Sequence, residues 1–492
     1  MSYRSVLGRV PLVVLVGVAL LVSTAFKAKA PTAFTTFTVS DQPGVTCPNG
    51  VNESACSNLT LEPQIRYDRA GNLYASAEHG TGGGTSAFKS TDGGLHYTTL
   101  PSPNGVSAEG NQFSPAGGDT DLATAPAKNN AGLYNVYVAS LDLANIVVST
   151  SKDGGNTWSI NPTSATISGD DREWIAADGA SKVCMSYHDV LTFNLDVNCS
   201  DDAGTTFTQL GDAFDANHLF LLQNNGSGNL AIDPGTHNVY QVFSGIANAS
   251  EAACTSLPIS PCGYHVVYAA VSTDGGKSFT DYVVYNNPDT SVGYGHQFIQ
   301  ISIDRAGNLY TLFSDNHNLF YSYSTSQAVS WSKPVQINQA PSATAIMPWS
   351  VAGKNGELDV VWYGTSYYAD GVAPDNYPSS AAWHVFFAQN LKATRSASFS
   401  QVQVTGPIHY GAVCESGVLC STSTSDRDLY DDFGISASPA NGGLASIIYT
   451  DDQYVTPDAN NAKYGSCTPS SSNTVYCDHV AIATQTSGSG IF

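Results

Sequence analysis

The sequence predicts an all-β chain: a seven-bladed β-propeller of four-stranded antiparallel blades, with six blades as the alternative. Three observations carry this. A turn phrase, S-x-D-x-G-x-x-aromatic, recurs along the chain; a strand–turn–strand phrase precedes each copy; and one further strand stands before the first of them. Self-similarity at periods of this size is the signature of a repeat architecture.

The turn phrase places Ser90, Asp92, Gly94 and Tyr97 in its first copy. Later copies hold Ser151, Asp153, Gly155 and Trp158, then Ser200, Asp202, Gly204 and Phe207, then Ser272, Asp274, Gly276 and Phe279. A worn copy follows at Ser324, Ser326, Ala328 and Trp331, and the intervals are 61, 49, 72 and 52 residues. Each reads as a tight turn between two strands. The Asp is expected to bond backbone N–H groups about two residues on, and the Gly to take positive φ. The aromatic then packs under the turn. These aspartates are structural.

The second phrase is clearest at 65–74 and 301–310, both ending D-R-A-G-N-L-Y, with looser versions at 230, 175, 122, 350 and 435. That gives seven inner hairpins. With an outer pair of strands each, they place blades at about 60–103, 117–163, 170–212, 228–286, 296–338, 346–406 and 430–487. The strand 34–39 is expected to supply the outer strand of the last blade and close the ring. Small residues, Ala123, Ala176, Ala231, Ser302, Ser350 and Ser436, stand where the inner strands converge. Arg66 breaks that rule; it is either paired structurally or aimed at a ligand.

The turn phrase resembles the Asp-box (BNR) repeats of the sialidase superfamily. The resemblance covers most of the chain after the first 30 residues and implies the propeller fold. It implies activity less directly, because one fold hosts many functions. Members of that family hold the substrate carboxylate with three Arg and use a Tyr assisted by Glu, with an Asp as acid/base. The first Arg stands in a Phe/Tyr-Arg-Ile-Pro motif; here the stretch is Thr60, Leu61, Glu62 and Pro63, with Leu61 at the Arg position. Of the six Arg beyond the first 30 residues (66, 69, 172, 305, 395 and 427), only Arg66, Arg172 and Arg427 remain for a triad, in unusual positions.

Residues 1–30 read as a secretory signal: Arg4 and Arg9 precede an apolar run from Val10 to Val22, and small residues follow. An uncleaved membrane anchor is the alternative, although the run is short for a span. Residues 31–492 then form a single domain with 15 basic and 41 acidic residues, net −26. Such a surface repels nucleic acid and anionic membranes. Ten cysteines suit an oxidised, extracellular chain and fall into local couples: Cys47 with Cys56, Cys184 with Cys199, Cys254 with Cys262, Cys414 with Cys420, and Cys467 with Cys477. Their spacing fits no zinc site. No cofactor or metal is expected beyond a structural calcium ion held by loop aspartates, and the chain is read as a monomer.

In such a propeller the loops leading into the inner strands gather at one mouth of the central channel. The candidate catalytic acids there are Asp170, Asp171, Glu173, Asp431 and Asp432; the candidate ligand-binding residues are Arg172, Trp174, Arg427, Arg66, His296 and Trp349. Asp119, Asp121, Tyr294, Met347, Asp426, Asp428 and Tyr430 stand near them. Carboxylates with aromatics suit sugar binding or glycoside chemistry. His188 and Asp189, beside Tyr187, read as structural, with a metal or acid/base pair as the alternative, and no nucleophile elbow, zinc-protease or phosphate-loop signature occurs.

The expected function is binding or hydrolysis of an extracellular glycan or glycoprotein at the mouth; a non-catalytic adhesion propeller is the alternative. An enzyme here would be a glycoside hydrolase, exo-sialidase-like or related. Arg172→Ala and Asp432→Ala are expected to weaken a ligand by about 1–3 kcal/mol while sparing the fold.

Overall fold

The structure, a computed structural model, describes residues 35–41, 61–78, 84–104, 118–142, 145–165, 169–189, 191–192, 194–207, 209–254, 263–295, 298–415, 420, 427, 429–431, 433–451 and 479–492. The expected signal, His296, Asp426, Asp428 and Asp432 lie outside them. So do the couples Cys47/Cys56 and Cys467/Cys477, together with Cys262 and the side chain of Cys254.

Seven antiparallel sheets are present, which settles seven blades over six. Blade one comprises Leu61–Tyr67, Leu73–Glu78, Thr85–Ser90 and Thr98–Thr99. Blade two comprises Thr120–Lys128, Tyr134–Asp142, Asn145–Ser151 and Ser159–Asn161; blade three, Asp170–Asp178, Lys182–Asp189, Asn194–Ser200 and Gln209–Asp212. Blade four has Leu230–Ile232 innermost, then Val239–Gly245, Val266–Ser272 and Thr280–Asn286, with Asn225–Gly226 as an extra pairing segment. Blade five runs through Gln300–Ile303, Leu309–Ser314, Leu319–Ser324 and Val335–Gln336. Blade six runs through Thr344–Ala352, Leu358–Thr365, Ala382–Asn390 and Ser400–Gln403, with His409–Tyr410 added. Blade seven is Gly434–Ala437, Ala445–Asp451 and His479–Ser487, and its outer strand is the N-terminal Thr36–Asp41. The inner strands touch in cyclic order, one to seven and back to one.

Apolar side chains fill the spaces between neighbouring blades, as strands buried on both faces require. Tyr310, Tyr321, Trp362 and Phe386 pack between blades five and six; Tyr137, Ile175, Met185 and Tyr187 pack between two and three. Near the axis the small residues bridge blades. Ser302 Oγ lies 2.9 Å from Ser350 Oγ, and Ser436 Oγ accepts the Tyr67 amide at 3.0 Å.

The recurring turns have one shared geometry, which differs from the expectation in reach. The carboxylate accepts amides three and four residues on, not two: Asp153 Oδ1 from Asn156 (3.1 Å) and Thr157 (2.9 Å), Asp274 Oδ1 from Lys277 and Ser278 (both 3.0 Å). Asp92 takes Leu95 and His96 at 3.1 and 3.0 Å, and Asp202 takes Thr206 at 2.8 Å. The Ser hydroxyl donates to the Asp and accepts the Gly amide, as Ser151 does at 2.8 and 2.7 Å. In the worn copy Ser326 Oγ replaces the carboxylate, accepting Ser330 N at 3.0 Å, and Ala328 holds the positive φ of 71°.

One aromatic also reaches the preceding blade: Trp158 Nε1 donates to Pro101 O at 2.8 Å, which pins blade two to blade one. Asp153→Ala or Asp274→Ala is expected to cost about 1–3 kcal/mol through unsatisfied turn amides, read as a lower denaturation midpoint, with ligand affinity unchanged.

Cys184 and Cys199 form a disulfide directly across a strand pair, and Cys414 is bonded to Cys420. The cysteine side chains of the other three couples lie outside the described residues.

Candidate functional site

Four inner strands begin with a non-glycine residue at positive φ: Glu62 at 44°, Arg172 at 56°, Met347 at 50°, and Tyr430, just before blade seven, at 54°. Glu62, Arg172 and Met347 sit where the pairing register slips, between Leu61 and Gln64, Asp171 and Glu173, and Ile346 and Trp349. They are β-bulges, which re-aim a side chain at the cost of a ladder bond. Pro63 and Pro348 follow two of them, where a missing N–H is tolerated. Strained backbone of this kind persists only where surrounding structure holds it, and it clusters at functional sites.

The bulges surround a cavity of about 220 Å³ at the channel mouth. Its polar walls include Asp119 of blade two, Asp171, Arg172 and His188 of blade three, and Asn225 and Ser227 ahead of blade four. Phe298 and Met347 add apolar surface from blades five and six; Glu415, Arg427 and Asp431 close the ring from the connection into blade seven. Two segments about 260 residues apart in sequence, 171–172 and 427–431, therefore share one pocket.

An ion network runs through this wall and is joined by the buried Glu62 behind it. Arg172 Nη1 is 3.5 Å from Glu62 Oε2 and 3.4 Å from Asp119 Oδ1. Its guanidinium also lies over the rings of Phe298, at 4.6 Å, and Trp174, at 5.2 Å. Arg427 Nη2 donates to Asp431 Oδ2 at 2.7 Å, and lies 3.8 Å from Glu62 Oε1 and over Tyr430 at 5.1 Å. Glu62 thus joins the two arginines.

The environments push these carboxyls apart. Burial, then the Asp119 charge beside it and the hydrogen bond between the two side chains, holds Glu62 well above the usual carboxylate range. Burial opposes ionisation of Asp119 too, but Arg172, that hydrogen bond and Arg427 outweigh it and set its pKa below normal. Burial and the charge of Asp119 raise Asp171 to about 6, against the pull of Arg172.

Strand alternation divides the remaining sequence candidates. Trp174 is fully buried in the apolar cluster, edge-on to Phe298 at 4.8 Å, and does not line the cavity. Trp349 is likewise core. Glu173 is wholly buried, and burial and Asp119 hold it well above the usual carboxylate range. Asp170 pairs across the strand with Asp189, behind the mouth. Arg66 is held by Asp121 Oδ1 at 3.3 Å, by Gln64 Oε1 at 3.0 Å and by Ile65 O at 2.7 Å, over the Trp349 ring. Asp121 in turn accepts the Ile175 amide at 2.9 Å. Of the candidates among the described residues, Asp171, Arg172, Arg427 and Asp431 line the cavity.

Sequence reasoning missed Glu62 and Glu415 and left Asp119 outside its chosen set. Glu62-Pro63 paired with Met347-Pro348 was the available signal: a repeated residue-plus-proline step at the head of an inner strand.

Away from the mouth, His218 Nδ1 lies 3.0 Å from Asp215 Oδ1 and 3.3 Å from Asp281 Oδ2. The two aspartates exchange backbone bonds, Asp215 N to Asp281 Oδ2 at 2.9 Å and Asp281 N to Asp215 Oδ2 at 3.1 Å. This triad pins the connector into blade four to that blade's outer strand.

The raised carboxyls make stability depend on pH. Asp170 is pushed to about 7 by burial and the charges of Asp189 and Asp196, and Asp196 to about 7 by burial, Asp212 and Asp189. Between about pH 4 and 7 the folded state keeps protons that the unfolded chain has released, so raising pH removes stability across that window. The turn aspartates act oppositely. Asp92, for example, is drawn down to about 2 by hydrogen bonds from His96, Ser90 and Leu95 that outweigh its slight burial, so its contribution is lost only in strong acid. Burial lowers His188, which favours the fold as pH rises through about 6.5, but the raised carboxyls outnumber it. The expected result is a higher melting temperature at pH 5 than at pH 8, measured by scanning calorimetry.

No protein-family model matches the chain, and no curated protein matches it. Among solved structures, the GH93 α-L-arabinofuranosidase of Fusarium graminearum, in complex with arabinobiose, is 13% identical with a TM-score of 0.43, covering 93% of this chain and 97% of that one. The intramolecular trans-sialidase from Ruminococcus gnavus is 13% identical with a TM-score of 0.38, covering 82% and 92%. The fucose-specific lectin of Aleuria aurantia is 12% identical with a TM-score of 0.40, covering 70% and 95%. At these identities and TM-scores the likeness is distant and assigns no activity to this chain.

Proposed function

We propose that the mouth cavity binds an extracellular glycan and that Asp171 donates a proton to a glycosidic oxygen there. The observation that carries this is a pair of carboxyls in one cavity with divergent environments: Asp119, drawn below its usual range against its burial by Arg172 and Glu62, and Asp171, raised to about 6. Such divergence is how carboxyls take acid and base roles. Phe298 and Met347 offer apolar surface to a sugar ring, while Asn225 and Ser227 offer hydrogen bonds. The Asp-box resemblance of the turns and the two disulfides support an exported propeller.

A binding-only module is the second reading. It is favoured by the ion pairing of Asp119 and Asp431, which ties up carboxylates that hydrolysis would use.

A glycan array followed by reducing-end assays on the bound glycans separates the two. Asp171→Asn is expected to lower hydrolysis by about 10²–10⁴-fold with binding retained, the usual contribution of general acid catalysis. A wild-type protein that binds without hydrolysing establishes the second reading. One that hydrolyses equally well after the substitution removes Asp171 from the proton-donor role.

A further inference from the structure

The charge pattern of the cavity specifies its ligand more narrowly, an inference that rests on the glycan reading above. A site built for a carboxylated sugar presents guanidinium groups whose N–H donors are free to grip the carboxylate in bidentate fashion. Here each guanidinium already lies against the protein's own acids. Arg172 has Glu62 and Asp119 at 3.5 and 3.4 Å and is 4% exposed, its flat face covered by Phe298 and Trp174. Arg427 is bonded to Asp431 at 2.7 Å. Arg66 is tied to Asp121 outside the cavity wall, and Arg305 stacks on Phe492 at 4.1 Å. No lysine is among the described lining residues, where four carboxyls (Asp119, Asp171, Glu415 and Asp431) face two guanidiniums.

We infer that the mouth accepts neutral, hydroxyl-rich sugars and rejects glycans capped by a carboxylate. Neutral hydroxyls can donate to Asp171, Asp431 and Glu415 and accept from Asn225 and Ser227. An added sugar carboxylate meets like charge, with no cation to spare. Discrimination of this kind works through repulsion as much as attraction.

The test is a binding panel on the full chain, pairing lactosyl with sialyl-lactosyl glycans and neutral with uronate-capped oligosaccharides. Acid-capped partners are expected to bind at least about tenfold more weakly than their neutral counterparts. The same panel on Asp431→Asn, which releases Arg427 and lies at the cavity edge, is expected to narrow that gap by about threefold or more. Acid-capped glycans that bind the wild type as well as the neutral ones overturn the inference while leaving the glycan reading in place. A folded Asp431→Asn protein with an unmoved ratio overturns the role of the ion pairs. If no glycan of either kind binds, the glycan reading fails and this inference falls with it.

Discussion

Arg172→Ala is expected to lower the unfolding free energy by about 3–5 kcal/mol, the cost of removing one partner from a buried ion network. The sequence alone led to the opposite expectation, of weaker binding with the fold spared. The reason for the change is burial. Arg172 stands between Glu62 and Asp119 with aromatic rings beneath it, so its loss leaves Asp119 buried without its principal counter-charge. Arg172→Lys keeps the charge but not the planar fork and is expected to recover only part of the loss. Urea denaturation of both variants checks this. An Arg172→Ala midpoint equal to wild type would show that the network contributes nothing to the fold.

Gly228→Ala is expected to cost about 3 kcal/mol or more and to distort the mouth. A Cβ at this position would lie 2.4 Å from Ile299 O and 2.6 Å from Val242 O, both backbone atoms that no side-chain rotation can move. Gly228 also bridges to Ile299 and accepts from the Gln241 side chain, so its backbone is fixed from several sides. Overpacking usually costs about 1–3 kcal/mol, and backbone on two sides puts this case at the upper end. The neighbours Gly226 and Ser227 line the cavity, so ligand affinity is expected to fall with stability. Calorimetric melting together with glycan titration reads both effects.

The architecture was legible because it is written in local chemistry. The strand–turn–strand phrase of the inner hairpin recurs once per blade, so counting it counts blades, and the Asp153-type turn recurs in five of the seven. The segments at the mouth were legible for the same reason: once an inner strand is located, the residues before it are at the axis. Side-chain direction was less legible. Residues 170–174 read as one cluster, yet a strand sends neighbours to opposite faces and the bulge at Arg172 resets that alternation, so Asp171 and Arg172 reach the cavity while Trp174 enters the core. Glu62 registered only as a residue beside a missing arginine. Its role depends on Arg172 and Arg427, which the fold brings to it from far along the chain.

The bulged residues have a consequence for how this molecule could change. A bulged residue stands outside the regular ladder, so replacing its side chain leaves the strand register intact. Met347 is one of them, and it lies outside the ion network that holds Glu62 and Arg172. Ligand preference could therefore be rewritten at the mouth one blade at a time with the strand pairing of each blade unchanged.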